Sequence, residues 1–132
     1  MELTISILIL LLIIFLYNSY LSDNNNNGIK LNDDNFTISG MYGLTINYID
    51  IYQIDIISVM PEIGMKTNGY YFMNVCKGYF ILNNIGNVYL NLNLKYPPYI
   101  RILLKENGYI FINLSTEKDT TELYDNLLLH MG

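Results

Sequence analysis

The chain opens with an almost unbroken apolar run, and short segments of alternating apolar and polar residues follow it. The run extends from Leu3 to Leu16, and two tyrosines and Leu21 continue it. A helix over residues 1–21 would measure about 30 Å at roughly 1.5 Å per residue, which is the thickness of a bilayer core. The pattern predicts one N-terminal transmembrane helix over residues 1–21.

Two other interpretations of this segment stand beside a retained anchor. A secretory signal peptide has a basic start and a small-residue cleavage site. Here the chain starts Met1-Glu2, and the segment ends in Tyr-Asn-Ser-Tyr-Leu-Ser. A buried core helix is the third interpretation. The retained anchor is favoured, and Lys30, the first base after the segment, leaves its orientation open. The generic behaviour of signal anchors places the domain outside the cytoplasm, and the localisation expected is a single-pass cell-membrane protein.

A polar segment separates the apolar run from the rest of the chain. Residues 22–28 read Ser-Asp-Asn-Asn-Asn-Asn-Gly and contain no apolar side chain that could pack. The composition is typical of a flexible tether. We therefore expect a flexible polar linker over residues 22–34 and one folded domain over residues 35–132, a length sufficient for a single core.

Alternation with a period of two predicts the strands of this domain. The later segments 87–95, 99–105 and 109–114 each place every second apolar residue on one face. These inward rows are Val88, Leu90, Leu92 and Leu94, then Ile100, Ile102 and Leu104, then Ile110, Ile112 and Leu114. Asn107-Gly108 separates the last two segments, which predicts a tight hairpin.

The earlier segments are shorter or less regular. Residues 35–39 and 43–47 place Phe36, Ile38, Leu44 and Ile46 inward. Residues 53–59 form another predicted strand, with a bulge at Ile56-Ile57 where the alternation breaks. Residues 70–83 form a long apolar strand that is bent or bulged at Lys77-Gly78. About seven strands follow from these patterns.

The period changes to that of a helix near the end of the chain. Asp119 and Glu122 have capping-box spacing. The apolar residues that follow recur at helical spacing: Leu123, Tyr124, Leu127, Leu128 and Met131. The predicted fold class is mainly β: a barrel of about seven antiparallel strands capped by a C-terminal α-helix and preceded by one transmembrane helix.

From Asn35 onward, short motifs resemble the bacterial pleckstrin-homology-like (bacterial PH) domain family, whose members are often tethered to a membrane helix. The motifs are Ser39-Gly40-Met41-Tyr42-Gly43, Asp50-Ile51, Met60-Pro61, Thr67-Asn68-Gly69, Lys77-Gly78-Tyr79-Phe80, Pro97-Pro98-Tyr99-Ile100 and Thr121-Glu122-Leu123-Tyr124. The resemblance implies a seven-stranded barrel capped by a helix, and it implies no activity. Lipid-binding relatives carry basic residues at the first hairpin. Residues 39–43 contain none, so no specific phosphoinositide binding is expected.

Charge is unevenly distributed along the chain. The net charge is -5, with 7 basic and 12 acidic residues. Five of the bases fall within residues 66–106: Lys66, Lys77, Lys95, Arg101 and Lys105. They are either a scattered, solvated set or a basic face that contacts anionic lipid. The acidic balance and the lack of a basic stripe with interleaved aromatics disfavour nucleic-acid binding.

Residues capable of catalysis or metal binding are sparse. The chain has one cysteine, Cys76, and one histidine, His130. A buried, inert thiol is expected for Cys76 in its apolar strand, and His130 suits the negative end of the last helix. Asp33-Asp34 is interpreted as a solvated pair in a loop. We therefore expect no catalytic residues, no metal site and no cofactor.

Two hypotheses about function remain, and an enzyme is a distant third. The first is a membrane-tethered, non-catalytic interaction module that binds a protein or peptide partner near the membrane through an edge strand or groove. Six tyrosines could contribute contacts: Tyr70, Tyr71, Tyr79, Tyr89, Tyr99 and Tyr109. The alternative is a membrane-surface sensor whose five basic residues contact anionic lipid.

Overall fold

The computed structural model describes residues 2–26, 28–106 and 108–131, with the backbone alone for residues 19–26. Four residues lie outside the described residues: Met1 of the predicted anchor, Asn27 of the predicted linker, Asn107 of the predicted hairpin turn and Gly132 of the predicted domain. The elements are α1 (Glu2–Asn26), β1 (Ile29–Leu31), β2 (Asn35–Ile38), β3 (Leu44–Asn47), a 3-10 turn (Tyr48–Asp50), β4 (Ile51–Ile57), β5 (Ile63–Phe72), β6 (Val75–Leu82), β7 (Gly86–Asn93), β8 (Tyr99–Leu104), β9 (Tyr109–Ile112) and α2 (Glu117–Met131). The segment expected to be a flexible linker thus contains the end of α1 and the whole of β1.

The described strands form two separate sheets. A three-stranded sheet has the order β1-β2-β3, and a six-stranded sheet has the order β4-β8-β9-β7-β6-β5. In the larger sheet β9 lies between β7 and β8 and runs parallel to β7. The domain is mainly β with a C-terminal helix, as predicted, but the prediction of a closed antiparallel barrel of about seven strands is wrong. Alternation identifies strands and their faces; it does not determine which strands pair, and here the larger sheet keeps two open edges.

The β5–β6 hairpin corrects one strand assignment. The apolar run over residues 70–83 is not one bent strand, because Phe72 pairs with Val75 and the chain reverses between them. Lys77 and Gly78, where a bend or bulge was predicted, lie inside β6 and pair in continuous register with both neighbouring strands. The bulge predicted at Ile56-Ile57 is displaced as well, since the irregularity of β4 falls between Ile51 and Gln53. The antiparallel pairing of β8 with β9 agrees with the predicted hairpin.

Two apolar clusters fill the domain on opposite faces of the larger sheet. One joins the small sheet, the inner residues of β8 and β9, and α2, with Phe36, Ile100 and Ile112 at 0% exposure. The other contains Cys76 and Phe80 together with Val88, Leu90 and Leu92 of β7. The alternation of β7 is therefore real, but Tyr89 and Asn91, which lie between the predicted inward positions, are buried too. A strand covered on both faces loses the polar row that a half-exposed strand shows.

Helix α2 begins two residues before the predicted capping box. The Thr116 Oγ1 accepts a hydrogen bond from the Asp119 backbone N–H at 3.0 Å, so Thr116 acts as the N-cap. One turn on, the buried Thr120 Oγ1 accepts the Leu114 N–H at 2.8 Å and ties the helix to the end of β9. Leu123 and Leu127 are buried, as their spacing predicted, and they cover the first apolar cluster.

Helix α1 exposes its side chains. Its large apolar residues between Leu3 and Tyr17 are 46% to 76% exposed. In the part of the chain that the structure describes, no helix combines the length and the apolar character needed to cross a membrane.

The packing of α2 can be measured with a matched pair of leucine variants. Leu127 is 0% exposed and Leu129 is 77% exposed on the same helix. We expect Leu127→Ala to lower the free energy of unfolding by about 2–5 kcal/mol, because it leaves a cavity under the helix. Leu129→Ala should change it by less than about 0.5 kcal/mol. Urea unfolding of both variants checks this, and equal effects would show that α2 is not part of the core.

Candidate functional site

A cleft of about 490 Å³ opens between the β2–β3 turn and the β5–β6 hairpin, and we call it the hairpin cleft. One wall is the turn, Ser39 to Tyr42. The other consists of Lys66, Gly69, Tyr70, Tyr71, Phe72 and Lys77 of the hairpin, with Tyr89 and Asn91 of β7. Its volume lies in the range of ligand-binding clefts.

A glycine in β6, paired with another in β5, allows the turn to approach the sheet closely. Gly69 and Gly78 lie opposite each other in β5 and β6. A Cβ at Gly78 would lie 2.6 Å from the Asn68 carbonyl oxygen and 3.1 Å from Cδ1 of Tyr42, and φ is +109° there. Any side chain at this position would meet backbone and strain the chain. The missing side chain of Gly78 therefore leaves space in which the Tyr42 ring rests beside the hairpin.

The buried hydroxyl of Tyr89 holds the turn in place. Tyr89 is 4% exposed, and its hydroxyl donates a hydrogen bond to the Tyr42 carbonyl oxygen. Its ring meets that of Tyr79 edge to face, with centroids 5.4 Å apart. Burial, and to a smaller extent the neighbouring Tyr79, raises the pKa of Tyr89. The hydroxyl therefore keeps its proton and remains a donor at neutral pH.

Aromatic side chains are exposed at the end of β5. Tyr70, Tyr71 and Phe72 are 44%, 45% and 61% exposed. The rings of Tyr70 and Phe72 lie 6.4 Å apart, while the ring of Tyr71 lies 6.3 Å from that of the buried Phe80. Successive residues of a strand point to opposite faces. Both faces of this strand therefore carry accessible aromatic surface.

The tip of the same hairpin holds an exposed methionine in an unfavourable backbone conformation. Met73 is 76% exposed and has a φ of 55°. A side chain in this left-handed region costs roughly 1 kcal/mol, and glycine or asparagine normally occupies it. Met73 extends the apolar surface of Phe72 beyond the end of the strand.

The charge around the hairpin cleft is of one sign. Lys66 and Lys77 contribute to its lining, and no aspartate or glutamate occurs among the described residues that line it. The structure thus places two of the five basic residues that were considered as one face at a single site. The local charge is positive although the whole chain carries -5.

The other three predicted basic residues lie elsewhere. Arg101 pairs directly with Asp55 across β4 and β8, with Nη2 to Oδ2 at 3.1 Å. Its guanidinium also lies 6.0 Å from the centre of the Tyr109 ring. Lys95 sits over Tyr96 in the loop after β7, and Lys105 lines a different cleft. Arg101 therefore has a carboxylate partner within the protein.

A second cleft of about 670 Å³ lies between the small sheet and the larger one, and we call it the intersheet cleft. Its floor is apolar, and its charged residues are of both signs. They are Asp50, Lys105 and Glu106, and all three are exposed. Tyr89 lines both clefts. The mixed charge gives the intersheet cleft less electrostatic selectivity than the hairpin cleft has.

The six tyrosines proposed as contacts divide into two groups. Tyr70, Tyr71 and Tyr79 are exposed and Tyr109 is half-buried, whereas Tyr89 and Tyr99 are buried, which corrects the expectation for those two. The Tyr99 hydroxyl donates to the Leu94 carbonyl oxygen at 2.8 Å, and the Tyr89 hydroxyl bonds the turn. Their polar atoms serve the fold rather than a partner.

Cys76 and His130 are placed in different parts of the domain. Cys76 is fully buried in the second apolar cluster, and burial raises the pKa of its thiol to about 12. A thiol that stays protonated is a poor nucleophile. The His130 ring lies 5.0 Å from that of Tyr48, beside Asp33 and Asp34. Among the described residues, no three His, Cys, Asp or Glu side chains are arranged to hold a metal ion.

Several residues of the hairpin cleft did not emerge from the sequence pattern. Met41, Tyr42 and Phe72 were not singled out as contacts, although Met41 is 91% exposed. One signal was available: Asn74 interrupts the apolar run over residues 70–83, and asparagine is common in two-residue hairpin turns. No pattern in the sequence predicts that the β2–β3 turn approaches this hairpin, because the two segments are far apart along the chain.

No protein-family model, no curated protein and no solved structure matches this chain. The resemblance to bacterial PH-like domains stays a prediction from the short sequence motifs. The chemistry and shape of the clefts are therefore the basis for assigning a function.

The hydrogen bond that fixes the β2–β3 turn can be tested by removing one oxygen atom. We expect Tyr89→Phe to lower the free energy of unfolding by about 1–2 kcal/mol, because the Tyr42 carbonyl loses its donor while the ring remains. Tyr79→Phe, at the exposed neighbour, should change it by less than about 0.5 kcal/mol. Thermal unfolding gives the stabilities. Faster amide exchange at residues 41–43 in Tyr89→Phe alone would show that the turn is loosened, and equal exchange in both variants would contradict this role.

Proposed function

We propose that this protein is a membrane-tethered, non-catalytic interaction module that binds a protein or peptide partner near the membrane through the hairpin cleft. The observation that supports this is the group of exposed aromatic side chains, Tyr70, Tyr71 and Phe72, beside two lysines at the edge of an open sheet. Aromatic residues and methionine are enriched in protein interfaces. Truncation of such aromatic anchors often produces the largest losses of binding energy.

The shape of the site favours a chain segment over a compact small molecule. The cleft is continuous with the exposed end of β5, whose residues from Tyr70 to Phe72 are all exposed. Met73 at the tip and Met41 on the opposite wall add flexible apolar surface, 76% and 91% exposed. Methionine adapts its shape to irregular partners. A partner that crosses the cleft and follows the strand would cover all of these side chains.

The proposed tether is α1. Its apolar side chains are exposed on the described part of the helix, and a helix that is apolar on all sides requires an apolar environment. Within the described side chains no helix has the length and apolar character to cross a membrane, and the run from Leu3 to Leu16 alone would extend only about 21 Å. The tether is proposed from the sequence, in which continuation through Leu21 brings the helix to about 30 Å. We propose that this segment anchors the domain in a membrane.

The alternative function, a sensor of anionic lipid through five basic residues, has less support. Arg101 is paired with Asp55. Lys105 shares its cleft with Asp50 and Glu106. A surface that gains about 1 kcal/mol per base needs several unneutralised bases on one face. The hairpin cleft gathers only two of the five, Lys66 and Lys77.

Site-specific photocrosslinking in intact cell membranes tests the proposed function. The photoreactive residue p-benzoylphenylalanine replaces Phe72 in one full-length variant and Tyr52 in a matched control. Both positions are exposed aromatics, 61% and 67%, on the two opposite edge strands β5 and β4. We expect position 72 to crosslink one identifiable protein, and position 52 not to, because the partner covers the hairpin cleft. Mass spectrometry identifies the product.

Two results of this experiment would contradict the proposal. Equal crosslinking at positions 72 and 52 would indicate non-specific contact, and no protein product at position 72 would remove the hairpin cleft as a partner site. Alkaline carbonate extraction of the same membranes tests the tether. The full chain should stay in the membrane pellet, and a variant that lacks residues 2–18 should move to the supernatant.

A further inference from the structure

We propose that the partner presents an acidic, extended segment, which adds as a new strand to the free edge of β5 between Asn68 and Phe72. This inference rests on the proposed function, because it specifies the partner and the binding mode of the hairpin cleft. It is carried by three observations: an unpaired strand edge, the place along β5 where that edge is unprotected, and the charge beside it.

The edge of β5 is available for pairing. Among the described strands, β5 pairs with β6 alone and lies at the end of the six-stranded sheet. Eight of its ten residues are exposed and the other two are partly buried. A strand in this position presents unpaired backbone N–H and C=O groups on its outer side, and an extended peptide can bond to them.

Only one half of β5 carries the features that normally prevent such pairing. Its register with β6 shifts between Ile63 and Met65 and again between Lys66 and Asn68. Bulges and lysines are the usual protection of an edge strand. From Asn68 to Phe72 the register is continuous, residue for residue, and no charged side chain occurs. The first half of β5 is thus protected against pairing with another strand, and the second half, Asn68 to Phe72, is open to it.

Side chains on both faces of the open half suit an added strand. Tyr70 and Phe72 are in ring contact on one face, and Tyr71 packs against Phe80 on the other. A neighbouring strand would place its alternate side chains against each group, and aromatic cross-strand pairs contribute to sheet stability. Tyr70, Tyr71 and Phe72 keep 44%, 45% and 61% of their surface exposed, and an added strand would cover aromatic surface on both faces.

The charge beside the edge selects an acidic partner. Lys66 lies just before the open half, Lys77 is the direct cross-strand neighbour of Tyr70, and both line the cleft. Carboxylates on the incoming segment would meet these ammonium groups, while a basic segment would be repelled. A second copy of this chain would bring two more lysines to the same edge. Charge complementarity therefore favours an acidic segment over self-association.

The test uses the full chain in detergent micelles and a synthetic octapeptide of four Glu-Val repeats as the probe. The valines of this peptide favour extended structure, and the alternation places its carboxylates on one face of a strand. We expect saturable binding, and we expect slower hydrogen exchange at alternate backbone amides within residues 68–72. A matched peptide of four Lys-Val repeats should bind at least about tenfold more weakly.

A pair of charge-reversal variants provides the control for the lysines. The double variant Lys66→Glu and Lys77→Glu should weaken probe binding by about tenfold. The control, Lys95→Glu and Lys118→Glu, changes the net charge by the same amount. It should weaken probe binding by less than about twofold. Lys95 lies in the loop after β7 and Lys118 pairs with Glu122 on α2, so neither lines the hairpin cleft.

Several results would overturn the inference. With the peptides, these are no binding of the Glu-Val peptide, equal binding of the Lys-Val peptide, or binding without protection at residues 68–72. Without peptide, concentration-dependent self-association that protects the same amides would show that a second copy occupies the edge. Binding to anionic vesicles that depends on Lys66 and Lys77, in place of peptide binding, would assign the lysines to a lipid surface.

The proposed function is tested separately. If position 72 still crosslinks a partner in membranes while the probe experiment fails, the interaction module stands and strand addition does not.

Discussion

Strand β7 is covered on both faces, and its burial governs where the neighbouring strands and the β2–β3 turn lie. Val88, Leu90 and Leu92 enter one apolar cluster, while Tyr89 faces the other. A strand of this kind has to be central, and β6 and β9 pair with its two sides. Burial also requires every polar group to find a partner. Within the described residues, no buried side-chain nitrogen or oxygen lacks one.

The hairpin cleft forms because the buried hydroxyl of Tyr89 needs a hydrogen-bond partner. The buried Tyr89 hydroxyl reaches the Tyr42 carbonyl and so positions the β2–β3 turn beside the hairpin. Gly78 leaves room for the Tyr42 ring, because a Cβ there would lie 3.1 Å from Cδ1 of that ring. One wall of the cleft is thus fixed by the core. The other wall, at the end of β5, is exposed and ends at the strained Met73.

This division between a fixed wall and an exposed edge explains the binding mode that we propose. A rigid turn costs little entropy when a partner docks against it. The open half of β5 supplies backbone groups, and its aromatic side chains supply apolar area on both faces. Lys66 and Lys77 give the site a local charge opposite to that of the whole chain. Tethering by α1 would raise the effective concentration of the module for a partner at the same membrane.

The sequence by itself determined the β character of the domain, the inward rows such as Ile100 and Ile102, and the amphipathic helix that buries Leu123 and Leu127. These features depend on periodicity, which is local along the chain. Four features emerge only from tertiary packing: the parallel pairing of β7 with β9, the open sheets in place of a barrel, the burial of Tyr89, and the presence of Lys66 and Lys77 in one cleft. The physical reason is that strand pairing depends on contacts between distant segments, and a period of two is compatible with many pairings. The hairpin cleft could not be read from the sequence for the same reason: its two walls come from segments that only the packed core brings together.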